Sequence, residues 1–164
     1  MGRCGCHQGR ITVSQTWAAI DVEILTATVL SLLLLVSTTA FHYETLRFLG
    51  RASNGHRVSR RWIVAILAAL VGAHLFEVGL YAGAYAIGTY ELSLGGLRGS
   101  TDRAALDFFY FAAETYSTLG YGDLVPVGAL RLIASVESLN GLLLLSWSGA
   151  FLFGMFRDRP EDRR

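Results

Sequence analysis

The chain has 164 residues, about one domain's worth, with a mean hydropathy of +0.43, 52% hydrophobic residues and only 16% charged ones. So little charge, gathered in clusters, excludes an ordinary soluble domain and makes the class an integral membrane protein. A net charge of +1 points to no particular partner.

The N-terminal tail, residues 1–20, carries Cys4, Cys6 and His7. A Cys-x-Cys-His cluster can bind a metal or act as a redox pair. Metal sites usually need four ligands, however, and the chain has no further cysteine, so a plain tail is the competing reading. No structural disulfide is expected.

The first apolar run is Ile24–Phe41, preceded by Asp21 and Glu23. It is too long and too acidic at its start for a signal peptide, and long enough to cross a hydrocarbon core of ~30 Å. It is expected to be a retained, peripheral transmembrane helix over residues 21–46, with His42 and Glu44 at its interfacial end. A basic loop follows over residues 47–61, holding Arg47, Arg51, Arg57, Arg60 and Arg61.

The second run, Trp62–Ile87, carries His74 and Glu77. The third, Val127–Phe156, is interrupted by Glu137 and Asn140. Between them lies Asp107–Leu124, apolar but too short to cross. A segment of that length is a re-entrant element or a buried helix. The tail, residues 157–164, is again arginine-rich. The positive-inside rule therefore puts the first loop and the C-terminus in the cytoplasm and the N-terminus outside.

The most informative stretch is Thr118-Leu119-Gly120-Tyr121-Gly122-Asp123. Backbone at membrane depth must pair internally or face water or ions. Gly120 and Gly122 adopt positive φ without steric cost. Alternating such residues with ordinary ones turns successive carbonyls to one side, and four copies around an axis make rings of oxygens that replace an ion's hydration shell. Leu119 and Tyr121 side chains then pack behind, and Thr118 adds a hydroxyl ring.

This stretch, set between a short helix and a full span, resembles the selectivity filter of potassium channels, usually TVGYG followed by aspartate. The resemblance covers about Asp107–Met155. It implies an all-α integral membrane protein with three transmembrane helices, a re-entrant pore helix and a filter, assembled as a tetrameric pore with residues 62–156 as the channel domain. It implies K⁺ bound at Thr118, Leu119, Gly120 and Tyr121, with Gly122 completing the filter. It also implies a homotetramer in a bacterial plasma membrane, partnered by lipid and its own copies, with no nucleic acid, no organic cofactor and no catalysis.

Several single residues match the family. Glu114 and Asp123 fall where simple bacterial channels place a carboxyl pair behind the filter, and one shared proton is expected between them. Gly141 falls near the inner-helix hinge, although glycine in a membrane helix is also a packing site. Ser138, Leu142 and Leu145 fall on the cavity-facing positions. Leu119 stands where valine is usual and lacks its β-branch. Tyr110 and Phe111 stand in for an aromatic pair, and the Tyr110 hydroxyl is within reach of the filter's tyrosine.

His74 and Glu77, three apart, share a helix face. Ionisable groups at this depth face a partner or a water-filled space, so the pair reads equally as a proton sensor or as a helix lock. Glu137 either braces the pore helix or faces the cavity, with bracing favoured. These three residues also carry the alternative function, a proton-coupled transporter or intramembrane metal or proton-relay protein, which has no need of the glycine-rich stretch. A regulatory subunit with a vestigial filter is the blandest option.

Overall fold

The computed structural model describes residues 13–53, 60–99 and 104–157. In chain order these form α1 (Val13–Ser53), α2 (Arg60–Tyr90), β1 (Gly95–Arg98), α3 (Ala104–Tyr116), β2 (Val125–Gly128) and α4 (Leu130–Arg157).

Three helices are long and apolar enough to cross a membrane: Asp21–Ser53 within α1, all of α2, and Leu130–Met155 of α4. Their outward faces are apolar because hydrocarbon, not water, is the solvent they meet. On α1 that face is Val22, Leu25, Val29, Leu32, Leu33 and Val36, all exposed. The helix continues past the apolar run to Ser53, so residues 47–53 are helical rather than loop.

The 13-residue α3 is too short to cross and is not one of the spans. It sits between α2 and α4, where Tyr81, Tyr85, Phe108, Phe111, Tyr116, Ile133 and Leu144 form one buried cluster. A second cluster, Leu46, Leu49, Ile66 and Leu70, ties α1 to α2 at the other end of the bundle. Helix association in lipid has no hydrophobic drive, so it relies on close packing and interhelical hydrogen bonds. Asn140 of α4 shows this: its Nδ2 donates to Thr38 Oγ1 of α1 at 2.7 Å and to Tyr81 Oη of α2 at 3.1 Å.

Gly141 is a close-approach glycine. A Cβ there would lie 2.1 Å from the Tyr116 carbonyl oxygen, so α4 can seat the end of α3 only with no side chain at this position. The packing role anticipated as an alternative for Gly141 is thus present within an unbroken α4.

The all-α expectation misses one feature. β1 and β2 form an antiparallel ribbon, Gly95 opposite Gly128 through to Arg98 opposite Val125. It ties the exit of α2 to the segment after Asp123.

Candidate functional site

α3 ends in a cap built from its own backbone. Thr118 N–H donates to the Thr115 carbonyl at 3.0 Å, and Leu119 N–H to the Glu114 carbonyl at 2.8 Å. These two bonds define a Schellman motif, with Thr118 at the position that glycine normally fills in the left-handed conformation. Thr118 has φ of 59°, unusual and strained for a β-branched residue. Gly120 follows at 54° and Gly122 at 82°. Every second residue from 118 to 122 is therefore left-handed. All six residues from Thr118 to Asp123 are exposed on the single chain, and a Cβ at either glycine would touch nothing.

The loop is held from behind by α3. The Tyr121 N–H donates to Glu114 Oε2 at 3.1 Å. Burial raises the Glu114 pKa, the Tyr121 N–H opposes that rise, and the charge of Asp123 adds to it. The two carboxyl groups expected to share a proton thus feel each other, but in the single chain each has another partner. Asp123 Oδ1 lies 3.4 Å from the Tyr110 hydroxyl, a long contact. The hydroxyl of Tyr110 goes there and not to Tyr121. The Tyr110 ring instead stacks parallel to Tyr121, with centroids 6.5 Å apart and planes 2° apart. Phe111 is buried edge-on against Tyr85.

On α4, Leu142 and Leu145 are exposed and Ser138 is half-buried, leaving the face toward the end of the loop uncovered. Glu137 is fully buried and accepts a short hydrogen bond from the Tyr85 hydroxyl. It therefore braces α2 and not, as expected from the sequence, the short helix α3, because its position on α4 turns it toward Tyr85.

His74 and Glu77 do meet, His74 Nδ1 to Glu77 Oε2 at 3.2 Å, inside a larger cluster. His42 Nδ1 lies 2.9 Å from Glu77 Oε1, and His42 is fully buried. The interfacial placement of His42 is thereby corrected: packing of α1 against α2 and α4 carries it into the bundle. Tyr116 Oη donates to Glu77 Oε2, and Ser148 Oγ lies within 3.0 Å of His74 Nε2 and 3.1 Å of His42 Nε2. His42, Tyr116 and Ser148 are the members the sequence did not reveal. The one available signal was an ionisable side chain directly after the apolar run ending at Phe41. Glu44, in contrast, is exposed and pairs with Arg47. Cys4, Cys6 and His7 lie outside the described residues.

A short helix feeding a left-right alternating loop, followed by a full span, defines a membrane channel. The sequence profile of a family described as "ion channel" matches residues 62–158, and the chain belongs to that family. It is accordingly an integral membrane channel protein and not an enzyme. Over 51 residues it is 35% identical to the inward rectifier potassium channel Kirbac3.1 of Paramagnetospirillum magnetotacticum. The matched region is 30% of this chain and 17% of that relative, so the chain spans only a small part of the relative's length.

Proposed function

We propose that the chain is the subunit of a potassium-selective channel, with Thr118–Gly122 as the filter. The observation that carries this reading is the alternation of left-handed backbone at Thr118, Gly120 and Gly122 in a loop exposed on the single chain. That alternation turns successive carbonyls to one side, and such oxygens replace the hydration shell of K⁺. One loop per chain cannot enclose an ion, so four copies about an axis form the pore, each adding the exposed face of α4 with Ser138, Leu142 and Leu145 to the cavity. The partial identity to an inward rectifier potassium channel supports K⁺ as the ion.

K⁺ then moves down its gradient by knock-on between carbonyl sites, with no chemical step. Glu114 holds the Tyr121 amide so that the carbonyls cannot rotate out of line. The arginines of the α1–α2 connection and of the C-terminal tail put both on the cytoplasmic side, and the β1–β2 ribbon outside. The proton-coupled transporter alternative is not favoured, since the family is one of channels and Glu137 bonds Tyr85.

Purified protein in liposomes should take up Rb⁺ or K⁺, exclude Na⁺ and be blocked by Ba²⁺. Equal Na⁺ and K⁺ permeability would sink the selectivity reading, and a monomer in mild detergent and in lipid would sink the tetramer.

A further inference from the structure

We propose that His42, His74 and Glu77 hold a zinc-type divalent metal ion inside the helix bundle. The ion is bound by both Nδ1 atoms and the Glu77 carboxylate, one histidine lying against each carboxylate oxygen.

The three residues come from two helices, α1 and α2, and their potential ligand atoms all lie within 4.8 Å of one another. Tetrahedral zinc with ligands at about 2.0–2.1 Å sets those ligands roughly 3.3 Å apart. Here the separations are 2.9 Å for His42 Nδ1–Glu77 Oε1 and 3.2 Å for His74 Nδ1–Glu77 Oε2. Two imidazoles and a carboxylate form a donor set suited to zinc, with the fourth position left to a small oxygen ligand.

The proton inventory points the same way. With Glu77 ionised and both histidines neutral, the cluster owns four protons: one on each imidazole, one on Tyr116 and one on Ser148. His42 Nδ1–H serves Glu77 Oε1, which leaves His42 Nε2 needing the Ser148 proton. Ser148 then needs His74 Nε2–H, and Tyr116 donates to Glu77. His74 Nδ1 is left as a lone pair that competes with Glu77 Oε2 for the single Tyr116 proton. In that protonation state the cluster carries a buried negative charge, costly within a membrane, which a bound cation or an added proton on one imidazole offsets.

The Nε2 side supplies an independent indication. Both Nε2 atoms converge on one hydroxyl, Ser148 Oγ, at 3.0 and 3.1 Å. If both Nδ1 atoms bind metal, both Nε2 atoms must carry hydrogen, and the two lone pairs of Ser148 accept them. Metal-binding histidines are typically oriented by this kind of hydrogen bond from the other ring nitrogen. The ion would join α1 to α2, and Glu77, which accepts the Tyr116 hydroxyl, would tie it to the residue two before Thr118.

The site is tested on the full-length protein in detergent, in a Cys4→Ser, Cys6→Ser background that removes the tail as a competing ligand. After equilibration with zinc and gel filtration, elemental analysis should find about one zinc per chain. Cobalt in its place should give the visible bands of a four-coordinate ion. His42→Asn keeps a hydrogen bond to Glu77 and should remove the metal while the oligomer elutes unchanged. Ser148→Ala should weaken binding by about 10–100-fold. Absence of retained zinc and of cobalt bands in the parent protein overturns the proposal and leaves an added proton on one imidazole as the offsetting charge. Metal content unchanged in His42→Asn and in His74→Asn overturns it equally. None of these readouts depends on the selectivity of the pore.

Discussion

Glu114 reaches across the turn that ends α3 and accepts the backbone N–H of Tyr121 at 3.1 Å, while its own carbonyl caps the same helix end through Leu119 at 2.8 Å. One residue therefore closes α3 and fixes the middle of the loop that follows. The loop has no other side-chain bond from α3 to its backbone among the described residues.

This relationship makes the loop sensitive to pH. The Glu114 pKa is raised, chiefly by burial. For a raised carboxylate the folded form gains protons before the unfolded one, so its contribution is fully present below the ordinary value of 4.5 and is lost as pH rises through the raised value. Open lifetimes of wild-type channels should change across that window above pH 4.5, whereas Glu114→Gln should be flat there. Identical pH profiles and lifetimes for the two proteins would remove Glu114 from any role in holding the filter.

Gly120→Ala places a Cβ on backbone at φ of 54°. The left-handed conformation costs an L-residue roughly 1–2 kcal/mol, repeated in every subunit. Rb⁺ uptake should fall to background while the protein still inserts and assembles. Retained uptake with unchanged Na⁺ exclusion would show that this backbone form is not needed for conduction.

Gly141→Ala drives a methyl group into the Tyr116 carbonyl, 2.1 Å from where it would sit. Overpacking of this kind costs about 1–3 kcal/mol. Thermal stability in detergent should drop, and Gly149→Ala, where a Cβ meets nothing within 4 Å, is the matched control. Equal melting of the two variants would mean that α3 and α4 are free to separate.

Tyr85 and Glu137 form a buried pair between α2 and α4. Tyr85→Phe leaves the carboxyl without its donor and should destabilise by about 1–3 kcal/mol. Adding Glu137→Leu to Tyr85→Phe should recover most of that loss, since an apolar pair leaves nothing unsatisfied. A double variant less stable than the single one would point to a further partner for Glu137.

Orientation can be read by labelling single cysteines placed in a Cys4→Ser, Cys6→Ser background. Arg61→Cys should react with a membrane-impermeant thiol reagent only from the cytoplasmic side, and Leu92→Cys only from outside. The opposite pattern would invert the topology.

The sequence by itself determined the three spans, the short apolar segment between the second and third that cannot cross, and the glycine-bearing loop from Thr118 to Asp123. Each is a local property: hydropathy over a length matched to the bilayer, or glycine at alternate positions. What it could not determine was which polar groups meet. Gly95–Arg98 and Val125–Gly128 carry no strand signal, yet they pair because the folded helices bring the two segments side by side. Glu137 was legible as a bracing group or a cavity-facing one, but its partner Tyr85 lies 52 residues away on another helix. His42 looks interfacial at the end of its apolar run. Only the packing of α1 onto α2 and α4 buries it against Glu77, because a membrane helix chooses its inward face by fit and hydrogen bonding, not by hydrophobicity.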